Sequence, residues 1–207
     1  NGGVHADSGM NVQEFMIIPV QKKFAERVRV GAEIFQVLKG LLKKKGFATS
    51  VGDEGGFAPR LGGSDKALAV IAEAVKVAGN SLGKDVFLGM DVAASEFYEK
   101  GIYNFEGKKF TSAQMISKIA GWMKKYPIMS VEDPLAEDDW DNWVMATKKL
   151  PAFGPKGKAS LVGDDFFVTN KVRLAEGIKR GAANAILIKV NQIGSLSETL
   201  ETILLAK

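Results

Sequence analysis

The amino-acid sequence predicts an α/β protein whose parallel strands form a (β/α) barrel. From Val86 onward, four short apolar runs are each followed by a helical pattern, which is typical of parallel strands joined by right-handed crossovers. Each run also leads into a charged residue, as expected for a barrel, where functional groups stand at the carboxyl ends of several strands. An open doubly wound sheet is the alternative, but the Gly-rich loop at residues 52–56 is neither a P-loop nor a dinucleotide-binding sequence.

Composition is that of an ordinary globular protein. Of the 207 residues, 46% are apolar and 25% are charged. No apolar run approaches the roughly 18 residues of a membrane span, and the first residues lack the order of a signal peptide. The absence of cysteine excludes disulfides and thiolate chemistry, which is compatible with a cytoplasmic enzyme. The chain begins without Met and stops within a helical pattern, so we expect both ends to be cut.

The positive charge does not predict a nucleic-acid partner. Net charge is +4, and the densest basic cluster, at residues 43–45, lies at the end of a predicted helix. Cations suit the negative end of a helix dipole, so a solvated helix terminus explains the cluster. Aromatic and basic residues are not interleaved in the way that base stacking requires.

The first eighty residues predict one strand and two helices. An apolar segment at residues 13–20 is a strand candidate, and an apolar stripe predicts a helix over residues 22–45 that Gly46 ends. After the loop at residues 51–59, Ser64 is expected to cap a helix that runs to residue 78.

The remaining residues predict four strand–helix units. The strands are expected at residues 86–90, 128–131, 161–162 and 185–190. Two helices are indicated by capping boxes, at Thr111…Gln114 and Ser195…Glu198. A third is expected from a cap at Asn170 to a terminal glycine at Gly181, and a helical pattern predicts the fourth at residues 138–149.

Three carboxylates follow predicted strands: Asp91, Glu132 and Asp164. Because successive strand ends are adjacent in a barrel, these side chains are expected to lie within a few ångströms of one another. Three crowded carboxylates repel and cannot all stay ionised, and a hard divalent cation such as Mg²⁺ resolves that conflict. A single acid of this kind more often caps a helix or pairs with a lysine, but three at successive strand ends favour a metal site.

Lys189 follows apolar residues 185–188, which look like a strand buried on both faces. A partly buried lysine beside a dication should have a lowered pKa, which makes a proton-abstracting base plausible. A structural ion pair with one of the same carboxylates is the competing interpretation, and the residues alone leave both open.

Two Gly-rich segments contain further candidates. Glu54, between glycines in the loop at residues 51–59, could act as a general acid if its surroundings raise its pKa. His5, the only histidine, is a candidate ligand contact in the first segment. A solvated acid and an exposed histidine are the commoner outcomes in such loops.

Together these residues closely resemble the enolase family. The matching segments cover essentially the whole chain in the family's order: residues 1–6 (NGGVHA), 13–16 (QEFM), 51–59 (VGDEGGFAP), 90–97 (MDVAASEF), 130–134 (SVEDP), 137–140 (EDDW), 162–165 (VGDD) and 189–195 (KVNQIGS). The short loops and the sequence VHAD at residues 4–7 look more like a bacterial-type enolase than an animal one.

The resemblance implies a role for each matching residue. Asp91, Glu132 and Asp164 would bind the Mg²⁺ that holds the substrate carboxylate. Lys189 would remove the C2 proton of 2-phosphoglycerate, and Glu54 would assist departure of the C3 hydroxide. The product would be phosphoenolpyruvate, in glycolysis, with the reverse reaction in gluconeogenesis. A Lys base with Mg²⁺ on the ene-diolate is the known scheme of the enolase superfamily.

The resemblance also implies two substrate-binding residues and a fold. Glu14 would belong to the Glu54 network, and His5 would contact the substrate. The expected fold is a portion of an enolase-type (β/α)8 barrel, with residues 1–207 forming an incomplete carboxy-terminal barrel domain of about five strands. Its second strand is expected to be antiparallel and followed by two helices. The first strand would be reduced to residues 1–3, and an amino-terminal domain and the last barrel strands would lie outside this sequence.

The partners implied are those of the family. A full-length enolase would act in the cytoplasm as a homodimer or higher homo-oligomer. Family members also occur at the cell surface or in secreted form, where lysines bind plasminogen, so a non-catalytic binding protein is one alternative. Another superfamily member, acting on a different carboxylate by the same enolisation, is a second. The loop at residues 52–56 and His5 argue against it.

Overall fold

The computed structural model describes residues 1–207 and contains eight strands and seven helices. The strands are β1 (Glu14–Pro19), β2 (Val86–Asp91), β3 (Tyr98–Glu99), β4 (Ile102–Phe105), β5 (Lys108–Phe110), β6 (Ile128–Glu132), β7 (Ser160–Gly163) and β8 (Ala185–Ile186). The helices are α1 (Phe24–Lys44), α2 (Ser64–Val77), α3 (Ser112–Lys125), α4 (Trp140–Lys149), α5 (Lys171–Arg180), α6 (Val190–Ile193) and α7 (Leu196–Ala206). No helix combines the length and the apolar character that crossing a membrane requires.

Five strands form the main sheet, in the order β1-β2-β6-β7-β8. β1 is antiparallel to β2, and each later pair of neighbours is parallel. α1 and α2 separate β1 from β2 in the chain, whereas α3, α4 and α5 each connect two parallel strands. This arrangement confirms the predicted α/β class, the antiparallel strand and the two helices that follow it. Residues 1–3 form no strand, and a 3₁₀ turn spans Gly3–His5.

The helix-capping signals are mostly confirmed. The hydroxyl of Thr111 accepts the backbone N–H of Gln114, whose side-chain oxygen accepts the N–H of Thr111 in return. Asn170 caps α5, which ends at Gly181 with φ of 70°. Most strand and helix boundaries lie within two residues of their predicted positions, because apolar periodicity defines an element better than its last turn.

Ser64 does not cap α2 as predicted. It is the first residue of the helix, and the cap position is occupied by Gly63. The N–H and the hydroxyl of Ser64 both donate to the carboxylate of Glu106, each at 2.6 Å. A carboxylate from a distant loop thus satisfies the helix terminus that the serine was expected to cap.

The predicted strand at residues 185–190 is too long. β8 contains only Ala185–Ile186, and the chain enters the short helix α6 directly after Lys189. The apolar residues 185–188 are half-buried rather than buried on both faces. The reason is that β8 is an edge strand, which pairs with β7 on one side only.

A small antiparallel sheet, β3-β4-β5, was not predicted. Two tight turns join its strands, at Lys100-Gly101 and Glu106-Gly107, and all four residues have positive φ. Positive φ at both central residues is the geometry of a type I′ hairpin turn, which glycine favours. The side chains of Tyr103 and Phe105 from β4 are fully buried, so this sheet covers part of the main core.

Candidate active site and metal centre

Four carboxylates lie side by side at the end of the sheet where β2, β6 and β7 finish. Glu14 begins β1 and is paired with Asp91, the last residue of β2, because these strands are antiparallel. Asp91 is also paired with Glu132, the last residue of β6. Directly paired residues on neighbouring strands direct their side chains to the same face. Asp164 follows β7 by one residue, so it lies at the same end of the sheet.

The surroundings of Asp91 and Glu132 favour their protonated forms. Asp91 is 7% exposed, and it accepts hydrogen bonds from the N–H of Ala93 and the side chain of Gln13, both at 3.0 Å. Burial raises the pKa of Asp91 to about 7 in spite of these two bonds. Burial, followed by the charges of Asp91 and Asp164, raises the pKa of Glu132 to about 8. A cation bound between these two adjacent acids would stabilise their ionised forms.

Asp133 joins the end of β6 to the loop after β7. It is almost fully buried and has φ of 38°. Its carboxylate accepts the backbone N–H groups of Asp164, Asp165 and Phe166, at 3.2, 2.7 and 3.4 Å. Burial raises the pKa of Asp133 well above its ordinary value, although the bond from Asp165 opposes this. Asp133 therefore fixes the backbone that bears Asp164.

The acidic side chains form two overlapping sets that could hold a metal ion. Oxygens of Asp91, Glu132 and Asp133 lie within 4.8 Å of one another, and so do oxygens of Asp133, Asp164 and Asp165. Because Asp133 belongs to both sets, the predicted ligands fall in one connected cluster of five acids. Carboxylate oxygens are the donors that a hard cation such as Mg²⁺ prefers, so the residues present fit that ion.

Lys189 forms an ion pair with Asp164. Its Nζ lies 2.5 Å from one carboxylate oxygen of Asp164, and the side chain of Gln192 donates to the other oxygen at 2.7 Å. The ion pair that the sequence left as a competing interpretation is therefore present. It does not exclude the role of a base, because the same amine stands beside the acidic cluster.

The pKa of Lys189 is raised by the carboxylates around it. Burial is the largest single influence and lowers it, but the hydrogen bond and charge of Asp164, with the charges of Glu132 and Asp165, together raise the pKa of Lys189. The lysine side chain is 42% exposed, which limits the effect of burial. The lowered pKa was expected beside a bound dication, whose charge would oppose that of these carboxylates, so it stays a prediction.

A second group of side chains lies on the β1 side of the row. Nδ1 of His5 is 2.9 Å from a carboxylate oxygen of Glu14 and 3.8 Å from one of Glu54. The side-chain amide of Asn1 donates to the other oxygen of Glu14. Glu14 is buried, whereas the side chain of Glu54 is 60% exposed. The structure thus brings together His5, Glu14 and Glu54, with Glu54 outermost.

The order of the strands separates the two groups. His5, Glu14 and Glu54 belong to the β1 edge of the sheet, and Lys189 follows β8 at the opposite edge. The carboxylate cluster of β2, β6 and β7 lies between these edges. A ligand held by the cluster would therefore have a carboxylic acid on one side and an amine on the other.

Several polar side chains at the site were not among the candidates that the sequence indicated, including Gln13, Asp133 and Gln192. The two glutamines each donate to a carboxylate of the cluster, Gln13 to Asp91 and Gln192 to Asp164. Asp133 directly follows Glu132, and strand alternation would send its side chain to the opposite face. Only the left-handed backbone at Asp133 returns it to the cluster. The motif at residues 130–134 was the one available signal.

Comparisons with known proteins agree with these observations. Residues 1–207 match the family described as enolase, C-terminal TIM barrel domain. The chain is 51% identical over 210 residues to the enolase of Corynebacterium kroppenstedtii, with 100% of this chain and 48% of that protein covered. It is 54% identical over 207 residues to the enolase of Elusimicrobium minutum, with 100% and 47% covered. The chain thus spans about half the length of these curated relatives. Since the similarity extends over its whole length, the chain belongs to the enolase family.

Proposed function

We propose that the protein interconverts 2-phosphoglycerate and phosphoenolpyruvate by a Mg²⁺-dependent elimination of water. The observation that carries this proposal is the arrangement at the carboxyl end of the sheet, where an amine and a carboxylic acid flank one carboxylate cluster. The family supports the same reaction, because both relatives compared above are named enolase. An elimination needs a base and an acid at different atoms of the substrate, and the two edges of the sheet supply them.

Asp91, Glu132 and Asp164 are the residues proposed to hold Mg²⁺. All of their donor atoms are carboxylate oxygens. Burial, together with the charges of the neighbouring acids, raises the pKa values of Asp91 and Glu132, so a cation there would stabilise their ionised forms. A cation bound there supplies the positive charge that makes a proton next to a carboxylate removable. Asp133 is proposed to orient the cluster, since its carboxylate is occupied by three backbone N–H groups.

Lys189 is proposed to exchange the C2 proton of the substrate through its Nζ. The raised pKa of Lys189 favours the ammonium form. That form returns a proton to C2 in the direction of hydration, and the neutral amine removes it in the direction of dehydration. The bond to Asp164 holds Nζ at the edge of the cluster in either case.

Glu54 is proposed to give a proton to the departing C3 hydroxyl group. Its side chain is exposed beside His5, so a substrate bound at the cluster can reach it from this side. His5 and Glu14 are proposed to contact the substrate from the same side, because His5 lies between Glu14 and Glu54.

The test is the turnover of the full-length protein, followed by the absorbance of the enol product. We expect Lys189→Ala to reduce kcat by about 10²- to 10⁴-fold, which is the usual contribution of a positioned acid or base. Removal of Mg²⁺ with a chelator should abolish turnover, and restoring Mg²⁺ should recover it.

Lys171→Ala is the matched control. Lys171 also pairs with a carboxylate, that of Glu201 at 3.1 Å, but this pair joins α5 to α7 and includes none of the five acids of the cluster. Its loss should leave kcat within a factor of about two, as expected for an exposed ion pair. Wild-type turnover in Lys189→Ala would contradict the assignment of Lys189 as the base.

A further inference from the structure

The loop between β7 and α5 contains two consecutive β-branched residues in the left-handed region of backbone space. Val168 has φ of 45° and Thr169 has φ of 55°. This conformation is unfavourable for β-branched residues and persists only where the surroundings require it. Thr169 is fully buried, so its side chain is enclosed by the protein.

The hydroxyl of Thr169 makes two hydrogen bonds at the candidate site. It accepts the backbone N–H of Lys189 at 2.8 Å and donates to the side-chain oxygen of Gln192 at 3.0 Å. Because that oxygen of Gln192 faces Thr169, the amide nitrogen faces Asp164 and donates to it at 2.7 Å. The other oxygen of Asp164 accepts Nζ of Lys189 at 2.5 Å. Thr169, Gln192, Asp164 and Lys189 thus form a closed ring of hydrogen bonds.

We infer that Thr169 is a positioning residue that sets the candidate base and one candidate Mg²⁺ ligand at the same time. This inference rests on the proposed function. The hydroxyl fixes the main chain of Lys189 directly, and it fixes the carboxylate of Asp164 through the amide of Gln192. A single hydroxyl therefore determines where two groups on different loops stand relative to each other.

The backbone of Thr169 has a separate anchor. The hydroxyl of Thr202, from α7, donates to the carbonyl oxygen of Thr169 at 2.9 Å. Thr202 is also fully buried and also β-branched, but its side chain takes no part in the ring. The two threonines thus separate two roles: Thr202 holds the loop, and the hydroxyl of Thr169 orients the site.

The experiment compares Thr169→Val with Thr169→Ser in the full-length protein. Valine keeps the shape and loses the hydroxyl, whereas serine keeps the hydroxyl. Residues that hydrogen-bond to a metal ligand typically contribute 10- to 100-fold to metal affinity or activity. We expect Thr169→Val to weaken Mg²⁺ binding by calorimetry at least about tenfold and to lower kcat similarly, with KM for 2-phosphoglycerate changed less. Thr169→Ser should restore both values to within about threefold of wild type.

Two further variants keep the test decisive if Thr169→Val unfolds. Gln192→Leu breaks the ring at its second member and should reproduce the loss of Mg²⁺ affinity. The double variant Thr169→Val/Gln192→Leu should be no worse than either single change, because members of one network are not additive. Thr202→Val is the control: it should lower the melting temperature while leaving Mg²⁺ affinity and kcat near those of wild type.

The outcomes separate this inference from the proposed function. The positioning role alone would be overturned if the wild-type protein turns over substrate and if Thr169→Val and Gln192→Leu both keep its Mg²⁺ affinity and kcat. A wild-type protein that binds Mg²⁺ with the predicted sensitivity to Thr169 but shows no turnover would overturn the reaction alone. A wild-type protein that does not bind Mg²⁺ would overturn both, and equal losses in Thr169→Ser and Thr169→Val would assign Thr169 to packing.

Discussion

Gly52 belongs to the loop that bears Glu54, and its backbone packs against His5 and Asn1. A Cβ atom at Gly52 would stand 2.6 Å from the carbonyl oxygen of His5 and 2.7 Å from Cβ of Asn1. Neither neighbour is the free end of a flexible side chain, so the loop would have to move. The glycine therefore allows the close approach that brings His5 within 3.8 Å of Glu54.

We predict opposite effects of two Gly→Ala changes. Gly52→Ala should lower the free energy of unfolding by about 1–3 kcal/mol through overpacking, and should reduce turnover by displacing Glu54. Gly40→Ala should raise the free energy of unfolding by about 0.5–1 kcal/mol, because Gly40 is exposed within α1 and has open space around it. Denaturant titration of both variants measures the difference, and a Gly52→Ala protein as stable and active as wild type would contradict the packing argument.

At the level of single residues, the sequence predicts which acids meet and that they cannot all stay ionised, which the raised pKa values of Asp91 and Glu132 bear out. Asp91 and Glu132 each follow an apolar run that predicts a strand, so both are expected at the carboxyl end of a parallel sheet. The pKa of Lys189 could not be predicted, because its sign depends on whether a carboxylate is within hydrogen-bond distance. Thr169 could not be found either, since its importance comes from a backbone conformation that its residue type disfavours.

Among the helices, α3 has a complete capping box, and its contribution can be measured away from the site. Thr111→Ala should lower the free energy of unfolding by about 1 kcal/mol, because the N–H of Gln114 loses its acceptor. Ser117→Ala is the control on the same helix. Its hydroxyl bonds only to the carbonyl oxygen of Ala113, within the helix, so the change should be near neutral or slightly stabilising. Equal losses in thermal unfolding for the two variants would argue against the cap.

Periodicity and capping residues made the long helices predictable, because each of those signals acts within a few residues of the chain. The predictions that were wrong concern details that distant parts of the chain decide. β8 is shorter than predicted because only one neighbour pairs with it. Ser64 does not cap α2, because it donates to the carboxylate of Glu106. The hairpins β3-β4-β5 did carry a local signal, the two X-Gly turns at residues 100–101 and 106–107.

The whole molecule should respond to pH through its acidic cluster. In the folded state the pKa values of Asp91 and Glu132 are about 7 and about 8, above the ordinary value of about 4 for the unfolded chain. Between about pH 4 and pH 8 the folded state therefore holds more protons, so this cluster's contribution to stability falls as pH rises. With a chelator present, wild type should lose stability relative to Glu132→Gln as pH is raised from 6 to 8.

Saturating Mg²⁺ should remove or reverse that difference, because cation binding releases the protons and stabilises the folded state. Melting temperatures of wild type and Glu132→Gln, measured at pH 6 and 8 with and without Mg²⁺, provide the comparison. The same pH slope in both proteins would show that Glu132 does not have a raised pKa.

At the scale of the molecule, the class of the fold and the antiparallel strand followed from the sequence and its resemblance, and the sheet order agrees with them. The incomplete barrel of about five strands that the resemblance implied agrees with a sheet in which β1 and β8 each have one paired neighbour. What did not follow is the burial of residues 185–188, which were expected to be buried on both faces and are half-buried at the β8 edge.

The antiparallel pairing of β1 with β2 has a consequence for the time course of folding. Each parallel unit from β2 onward joins residues that are near one another in the chain, but the contact between Gln13 and Asp91 spans 78 positions. Closing so long a segment costs chain entropy before the contacts can stabilise it, so it belongs to a slow step. His5 and Glu14 would then reach the acidic cluster after the helices have formed. Recovery of secondary structure during refolding of the full-length protein should precede recovery of the proposed turnover.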